Sequence, residues 1–361
     1  MSKSFCSLGL MSGTSMDGVD TSIIQSDGES KYKAIVDKYF EYPEDIYKKL
    51  TKVRDKIKCS KDLKKLSKEL KILEKNITLF HAKVANGLIK EFKSNIDLIG
   101  FHGQTIFHNG EEKVSKQLGD GKLLSKLTNK RVVYNFRQND LKNGGEGAPL
   151  TPIFHKLVAR QHNITLPLNI INIGGITNIT IIGKKYLKAR DLGPGSCLID
   201  LWIRLNSKKK YDENGNIAKR GKIEKVILEK AKDLYYNRDK EWKNSSYDVN
   251  NFNSLIDIFH GLSLEDGSST ITELTSIIIS DTLTYTAAKK NSSNLICGGG
   301  RKNSFLLSRI SKNIEMNNKK KLNVENSQPI LFSEKLVSID DFGIDGDFLE
   351  SQAFAYLAIR S

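Results

Sequence analysis

Apolar and polar positions along the chain follow two periodicities, which predict strands and helices in turn. Short apolar runs at 8–11 and 19–24 flank a loop of small residues and predict a β-hairpin. In residues 61–92, apolar side chains recur at three- and four-residue steps, which predicts an amphipathic helix. Two further apolar runs, at 96–101 and 131–136, predict strands in the first half of the chain.

The second half repeats the strand–turn–strand pattern. A buried strand is predicted at 168–173 and a returning strand at 176–182, where polar and apolar residues alternate, with a glycine pair between them. Later segments are predicted as helices at 197–205, 222–235, 269–290, 303–314 and 346–359, and as short strands at 295–297 and 330–332. Strands alternating with helices indicate an α/β protein. Because each half contains one such hairpin, we expect two similar domains, 1–135 plus 346–361 and 136–345, with a central cleft between them.

Length and charge narrow the class of protein. The 361 residues exceed what one hydrophobic core usually serves, so two domains are expected. Lys and Arg number 57 against 42 Asp and Glu, a net charge of +15. Nucleic-acid binding is one interpretation, but the chain has no helix-turn-helix, zinc-finger or aromatic RNA-binding signature. A lysine-rich solvated surface that attracts anionic substrates explains the charge better, and we expect no nucleic-acid partner.

The expected compartment follows from the apolar runs and the cysteines. No apolar run approaches the roughly 20 residues that span a bilayer, so no membrane partner is expected. The N-terminus leads directly into the first predicted strand, which does not suggest a signal peptide. The four cysteines, Cys6, Cys59, Cys197 and Cys297, have no metal-ligand spacing. They are typical of reduced thiols in a cytoplasmic protein.

The loop of the first hairpin is a candidate phosphate-binding loop. It presents backbone N–H groups and hydroxyls, with Asp17-Gly18 at the expected tight turn. Glycine lets the backbone approach an anion closely, and the carboxylates of Asp17 and Asp20 can bind a metal directly or through water. An ordinary hairpin with a polar turn is the alternative. The candidate nucleotide-binding residues here are Gly13, Thr14, Ser15, Met16, Asp17, Gly18, Val19 and Asp20.

Two more glycine turns are candidates for the same nucleotide. The turn within 172–178 contributes Gly174, Gly175, Thr177 and Asn178; a glycine bulge in a hairpin is the alternative. The second turn, within 297–303, contributes Gly298, Gly299, Gly300 and Asn303 and stands between a predicted strand and a predicted helix. Such a turn offers a flat backbone surface, and the helix N-terminus favours negative charge. A glycine-rich linker is the alternative there.

A separate group of polar residues suggests a substrate site. His102, Gln104 and Thr105 follow a predicted buried strand, and we expect them at its carboxyl end, where α/β proteins bind ligands. Arg137 has the planar donor fork that suits a carboxylate or phosphate. The alternatives are a hydrogen-bonded structural histidine at 102 and an ion pair between Arg137 and Asp140.

Asp191 is the candidate catalytic residue. It stands ahead of a Gly-Pro-Gly turn and a predicted helix start. A carboxylate at such a turn can act as a base that accepts a proton from a nucleophile. A cap of the turn or helix is the alternative, and the residues by themselves favour that cap.

The motifs together resemble the anhydro-N-acetylmuramic acid kinase family, within the sugar-kinase and actin-like ATPase superfamily. The residues at 9–20, Gly-Leu-Met-Ser-Gly-Thr-Ser-Met-Asp-Gly-Val-Asp, carry the resemblance most strongly. Matching strings also occur at 102–105, 117–121, 136–137, 144–152, 172–178, 191–200, 211–221, 298–303 and 350–358. The chain departs from the family pattern at Asn135, Leu192 and Ser196.

The resemblance implies a two-domain actin-like fold and an unusual kinase reaction. Such an enzyme uses ATP and Mg²⁺ to open the 1,6-anhydro ring of anhydro-N-acetylmuramic acid and to phosphorylate the 6-oxygen, in murein recycling and amino-sugar catabolism. Asp191 would be the base and Asp17 the metal-side residue, through water. The implied substrate residues are His102, Gln104, Thr105, Arg137, Gly195 and Glu350, although Glu350 has a structural role as its alternative. A homodimer is also implied.

Two other functions share the glycine turns. A related sugar kinase, for example one acting on N-acetylglucosamine, would phosphorylate a free hydroxyl, but the 9–20 string argues against it. A chaperone- or actin-like ATPase usually carries long insertions or an additional domain, for which 361 residues leave little room. ATP turnover with and without the anhydro sugar separates the three functions.

Overall fold

The computed structural model describes residues 3–92, 95–239, 247–286, 292–324 and 335–361. The chain forms two compact units, Met1–Asn163 together with Asp347–Ser361, and Ile164–Gly346. The predicted strand at 330–332 lies outside the described residues, as does the end of the helix predicted at 269–290.

The first unit is built on a six-stranded sheet. Its strands are β1 (Phe5–Ser12), β2 (Gly18–Ser26), β3 (Tyr32–Glu41), β4 (Leu98–Asn109), β5 (Val114–Leu118) and β6 (Arg131–Tyr134). Its helices in this part of the chain are α1 (Glu44–Lys56), α2 (Ser60–Lys65), α3 (Ser67–Glu91), α4 (Gly121–Thr128), α5 (Phe136–Lys142) and α6 (Pro152–Gln161). The strand order is β3-β2-β1-β4-β5, and β6 also pairs with β4.

The second unit has a five-stranded sheet. Its strands are β7 (Leu168–Ile173), β8 (Ile176–Ile182), β9 (Leu187–Pro194), β10 (Ser293–Cys297) and β11 (Leu336–Ser338). Its helices are α7 (Cys197–Asn206), α8 (Lys225–Asp239), α9 (Leu264–Thr286) and α10 (Ser304–Val324). The strand order is β11-β10-β7-β8-β9. The last helix of the chain, α11 (Leu349–Arg360), belongs to the first unit.

The two sheets share one topology. In the first unit, β1, β2 and β3 form an antiparallel meander, and β4 and β6 follow in parallel beside β1. In the second unit, β7, β8 and β9 form the same meander, and β10 and β11 follow in parallel beside β7. The structure therefore confirms an α/β protein with two similar sheets, each containing one of the predicted hairpins.

Glycine lets α11 lie directly on the first sheet. A Cβ atom at Gly9 in β1 would stand 1.9 Å from the carbonyl oxygen of Ser351, and one at Gly100 in β4 would stand 2.2 Å from that of Phe354. Because real Cβ atoms do not approach so closely, any side chain at either position would displace the helix. This packing places the chain's last helix in the first unit, as the sequence predicts.

The first domain boundary differs from the expected one. The sequence places 136–163 in the second domain, whereas in the structure these residues belong to the first unit. The reason is packing: the Phe154 ring in α6 stands 4.9 Å from that of Tyr32 in β3 and 5.5 Å from that of Tyr356 in α11. The second boundary lies at 346/347 instead of 345/346.

The predicted helix at 61–92 is divided in two. α2 ends before Leu66, and α3 carries most of the apolar periodicity, with Leu70, Ile77 and Leu88 buried in the first unit's core. The break lies at Leu66, whose ψ of 11° departs from the helical value, and α3 begins at the next residue, Ser67.

Candidate active site

The loop of the first hairpin spans Gly13–Asp17, and its geometry differs from the predicted tight turn at Asp17-Gly18. The residue in the left-handed region is Met16, with φ 60°, while Gly18 already begins β2. The Met16 side chain is buried, and the Met16 N–H donates to the Gly13 carbonyl at 3.2 Å. Thr14 and Ser15 stand outside the hydrogen-bonded strands, whereas Val19 and Asp20 lie within β2.

The loop surface is open at Gly13. A Cβ atom there would meet only the Ser15 hydroxyl, at 3.8 Å. The Ser15 hydroxyl in turn donates to Asp17 Oδ1 at 2.5 Å, which orients that carboxylate. Exposed hydroxyls, an open glycine and one oriented carboxylate suit the phosphates of a nucleotide with a hydrated metal ion.

The second hairpin turns at Gly174 and Gly175, between β7 and β8. Gly195 N–H donates to the Gly175 carbonyl and Ser196 N–H to the Gly174 carbonyl, each at 2.8 Å. The contact is so close that a Cβ at Gly195 would stand 2.1 Å from the Gly174 oxygen. The Gly174-Gly175 turn and the turn around Gly195 are therefore one hydrogen-bonded structure.

Asp191 lies within β9, a strand that the sequence analysis does not predict, and the Gly193-Pro194-Gly195 turn and the start of α7 follow it as expected. It pairs with Asn178 of β8, next to a bulge between Thr177 and Asn178. Its side chain is 6% exposed, and Oδ2 accepts a hydrogen bond of 2.7 Å from the backbone N–H of Tyr247. The carboxylate is thus held by a distant segment of the chain, which favours an oriented base over a helix cap.

The side chain of Asn178, which pairs with Asp191 across the strands, carries a buried hydrogen-bond acceptor. Its Oδ1 atom is inaccessible and has no hydrogen-bond partner within the described residues. A buried amide oxygen without a donor is costly, and such atoms in native proteins usually accept a bond from a ligand or water. This atom fits the predicted role of Asn178 in ligand binding.

The third glycine turn precedes α10. Gly298 has φ 79° and donates its N–H to the Gly346 carbonyl at 3.0 Å. A Cβ at Gly299 would meet nothing within 4 Å, so the turn has an open surface there. Asn303 Oδ1 accepts from Leu306 N–H at 2.9 Å and caps α10. Asn303 therefore supports the turn through the helix that follows it.

The predicted substrate residues of the first unit lie within a strand. His102, Gln104 and Thr105 belong to β4, which continues to Asn109 because β5 pairs with its second half. The expectation that they follow the strand is therefore wrong. Gln104 Nε2 donates to the Gly13 carbonyl at 2.8 Å, so this residue joins β4 to the phosphate loop. Thr105 Oγ1 accepts from Gln117 at 3.2 Å.

His102 and Arg137 are hydrogen-bonded to one another. Arg137 Nε donates to His102 Nε2 at 2.9 Å, so Nε2 is the unprotonated nitrogen. The other nitrogen, Nδ1, carries the proton and donates to the Gly103 carbonyl at 2.7 Å. Burial, with the Arg137 charge beside it, lowers the pKa of His102 well below its ordinary value. His102 is thus neutral, with both nitrogens engaged by the protein.

Arg137 is oriented by groups on both sides. Its Nη1 donates to the Gly147 carbonyl at 2.8 Å, and Gly147 N–H donates to Asp140 Oδ2 at 2.8 Å. Asp140 therefore fixes the backbone at Gly147, whose carbonyl binds Arg137. Glu350, in the first turn of α11, has its pKa raised by burial, an effect that the Arg137 charge opposes. Arg137, the neutral His102 and Glu350 therefore form one polar cluster within the first unit.

Sequence reasoning missed several supporting residues. Tyr247 reaches Asp191 through a backbone N–H, for which side-chain patterns carry no signal. Tyr42 and His81 hydrogen-bond to Ser12 at the start of the phosphate loop, although neither lies in a recognisable motif. The apolar periodicity of α3 would have placed His81 on the buried face, which is the only available hint.

Neither a membrane helix nor a preformed metal cluster appears in the part of the chain that the structure describes. No helix there is long and apolar enough to cross a membrane. The same residues contain no group of three or more His, Cys, Asp or Glu side chains that could hold a metal.

Comparisons with known proteins agree on one family. The family model for anhydro-N-acetylmuramic acid kinase matches residues 6–361. An anhydro-N-acetylmuramic acid kinase of Pelagibacter ubique is 50% identical over 367 residues, covering 100% of this chain and 93% of that protein. One of Rhizobium etli is 32% identical over 359 residues, covering 98% and 91%. Among solved structures, a ROK family glucokinase from Streptomyces griseus aligns with a TM-score of 0.43 and 11% identity, covering 98% of each chain.

Proposed function

The chain belongs to the anhydro-N-acetylmuramic acid kinase family, and we propose that it opens the 1,6-anhydro ring of anhydro-N-acetylmuramic acid and phosphorylates the 6-oxygen. The products are N-acetylmuramic acid 6-phosphate and ADP, and the reaction serves murein recycling and amino-sugar catabolism. The observation that carries this proposal is the family match over residues 6–361, and the pairing of Asp191 with Asn178, near the Gly174-Gly175 turn, supports it.

Asp191 is proposed as the base. Its carboxylate accepts a proton from water, whose oxygen forms a bond to the anomeric carbon while the bond from that carbon to the 6-oxygen breaks. The 6-oxygen then bonds to the γ-phosphorus of ATP, and the bond from that phosphorus to the β,γ-bridging oxygen breaks to release ADP. The hydrogen bond from Tyr247 N–H, at 2.7 Å, holds the carboxylate in one orientation for the proton transfer.

The three glycine turns are proposed to bind ATP. Gly13 and Gly299 have open space where a side chain would stand, which fits close approach of phosphate and nucleoside to the backbone. Thr14 and Ser15 supply hydroxyl donors, and Asp17 is the proposed metal-side residue. Mg²⁺ commonly keeps several waters and one or two protein carboxylates, so the lack of a carboxylate cluster among the described residues is compatible with it. When bound, Mg²⁺ offsets the charge on the phosphates.

Arg137 is proposed to bind the carboxylate of the sugar's lactyl group. Its guanidinium is oriented through His102 Nε2 and the Gly147 carbonyl, which lowers the entropy lost when the substrate binds. His102 has no nitrogen left for the sugar, so its role becomes the placement of Arg137. Glu350, beside that arginine, and Gly195 remain candidates for sugar contact.

We also infer a cytoplasmic homodimer. All four cysteines are free thiols, which fits a reducing compartment. The dimer rests on family resemblance, and light scattering coupled to size-exclusion chromatography measures it directly.

The function is tested by coupled ADP release. We expect ADP formation that depends on the anhydro sugar, with little turnover on N-acetylglucosamine or without sugar. ADP release of equal rate without sugar would indicate a simple ATPase, and equal rates on N-acetylglucosamine would indicate a different sugar kinase. Either result would contradict the proposal.

A further inference from the structure

Tyr42, between β3 and α1, contacts both ends of the candidate phosphate loop. Its hydroxyl lies 2.8 Å from the hydroxyl of Ser12, the last residue of β1. Its backbone N–H donates to the carbonyl oxygen of Asp17, the last loop residue before β2, at 2.7 Å. One residue therefore joins the two points at which the loop leaves and re-enters the sheet.

The direction of the hydrogen bonds around Ser12 is determined by a carbonyl. His81 Nδ1 lies 2.8 Å from the Ile77 carbonyl oxygen, which can only accept, so Nδ1 carries the proton. His81 Nε2 is then an acceptor and receives the Ser12 hydroxyl hydrogen across 3.1 Å. The Ser12 oxygen is left to accept from Tyr42. The chain of donors runs from Tyr42 through Ser12 and His81 to Ile77.

The network is buried and rigidly packed. Ser12 is 1%, His81 0% and Tyr42 4% exposed. The Tyr42 ring stands 5.1 Å from that of Phe80, and the His81 ring 5.0 Å from that of Phe101. Burial lowers the pKa of His81 to about 4, so the histidine stays neutral near pH 7 and remains an acceptor. These aromatic contacts thus hold the side chains of Tyr42 and His81 in position to hydrogen-bond with Ser12.

Few hydrogen bonds within the loop hold its shape. Within the loop, the Met16 N–H donates to Gly13 at 3.2 Å and Ser15 donates to Asp17. From outside, Gln104 reaches the Gly13 carbonyl. Ser12 and Asp17 remain as the two ends, and Tyr42 binds both. A loop that presents backbone N–H groups to phosphates has to hold those groups in place before the ligand arrives.

We propose that Tyr42 is a positioning residue for nucleotide binding, which holds the Ser12–Asp17 loop in its phosphate-binding shape through the Ser12 hydroxyl and the Asp17 carbonyl. Ser12 and His81 transmit this restraint to α3. The inference rests on the proposed ATP site at this loop but not on the identity of the sugar.

The test uses Tyr42→Phe, which keeps the ring and the backbone N–H and removes one hydroxyl. Tyr32→Phe is the matched control, because Tyr32 is also a buried tyrosine but lies at the start of β3, where it pairs with Ser26 at the far end of β2 from the loop. The readouts are affinity for Mg²⁺–ATP by titration calorimetry without sugar, amide hydrogen exchange of residues 12–17 without nucleotide, and the melting temperature.

We expect Tyr42→Phe to weaken Mg²⁺–ATP binding about tenfold and to speed exchange of the loop amides, whereas Tyr32→Phe changes neither. Ser12→Ala removes the same contact from the other side together with the Ser12–His81 hydrogen bond, so it should give at least a similar loss, and the double variant should be no worse than Ser12→Ala alone. Ser12→Ala also serves if Tyr42→Phe does not fold.

Unchanged ATP affinity in both Tyr42→Phe and Ser12→Ala would overturn the inference, as would an equal loss in Tyr32→Phe. Because these measurements contain no sugar, they separate the inference from the proposed function. Wild-type protein that binds ATP but makes no sugar phosphate would contradict the function alone.

Discussion

The two hairpin turns have equivalent places in the two sheets but are held in different ways. The first, Gly13–Asp17, is a loop whose ends and carbonyl groups are bound by side chains and backbone from β4, α3 and the segment before α1. The second, Gly174-Gly175, is a minimal turn whose carbonyls are bound by backbone N–H groups at the start of α7. One topology therefore supports two kinds of turn.

The difference indicates which substitutions each turn tolerates. A turn held by side chains can accept an added methyl group but not the loss of a distant hydroxyl. The second turn is held by close backbone contact, so it can lose neighbouring side chains, but a Cβ atom at Gly195, which packs against it, has no room. The second turn also adjoins β9, which carries Asp191, so its geometry and that of the proposed base are linked.

The largest effect is expected at Asp191. Asp191→Asn keeps the shape and can still accept from Tyr247 N–H but removes the base, so we expect kcat to fall about a hundredfold or more with ATP binding largely retained. Steady-state kinetics and calorimetry measure the two quantities. Turnover near the wild-type rate would exclude Asp191 as the base.

One added methyl group tests each turn, at Gly13 within the first and at Gly195, whose backbone packs against the second. Gly195→Ala places a Cβ 2.1 Å from the Gly174 oxygen and should lower the free energy of unfolding by about 1–3 kcal/mol. Gly13→Ala meets only Ser15, at 3.8 Å, and should change it by less than about 0.5 kcal/mol. Denaturant unfolding measures both. Equal losses would refute the distinction between the two turns.

A smaller, purely local effect is expected at the third glycine turn. Gly299→Val introduces a side chain where nothing lies within 4 Å, so the protein should fold normally. If the nucleoside packs there, ATP affinity should fall about tenfold while the melting temperature stays the same. Unchanged affinity would place the nucleoside elsewhere.

The two units should also differ in their response to acid. Burial lowers the pKa of His81 to about 4 and those of His108 and His155 to about 3, against about 6.5 in an unfolded chain. Below pH 6.5 the unfolded state binds more protons, so each histidine removes up to about 1.4 kcal/mol of stability per pH unit as the pH falls towards its folded pKa. All three lie in the first unit, whereas His260, the only histidine at 164–346, is exposed.

Tryptophan fluorescence separates the two units in this experiment. Both tryptophans, Trp202 and Trp242, fall within the range of the second unit, whereas circular dichroism reports helices of both. On acidification we expect the dichroism signal to decrease at a higher pH than the fluorescence changes. Coincident transitions would show that the units do not differ in acid stability.

Strands and helices with strong periodicity could be predicted from the sequence. The strands at 168–173 and 176–182 have the predicted bounds, because two isoleucine-rich segments on either side of a glycine pair are typical of a hairpin. The sequence analysis does not predict β3 and α1, because charged residues on their exposed faces weaken the apolar periodicity. It does not predict β9 either, because the polar residues of this segment give no strand periodicity and the strand is defined mainly by its pairing with β8.

The candidate site could be predicted as a set of residues but not as a set of contacts. Motif strings identified Gly13, Asp191 and Arg137. They could not show that His102 binds Arg137, because that contact joins β4 to α5 across 35 residues of sequence. Backbone donors such as Tyr247 N–H, and supports such as Tyr42, depend on tertiary packing and have no local signature.

The central claim is that water opens the anhydro ring while the 6-oxygen receives the phosphoryl group. Mass spectrometry of the product formed from anhydro-N-acetylmuramic acid and ATP in heavy-oxygen water tests it most directly. Product made in ordinary water and then moved to heavy-oxygen water controls for exchange at the anomeric carbon. At early times the account predicts one heavy oxygen in the sugar phosphate, on the anomeric carbon, and none in the phosphoryl group. Heavy oxygen in free phosphate, or a sugar phosphate without label, would contradict it.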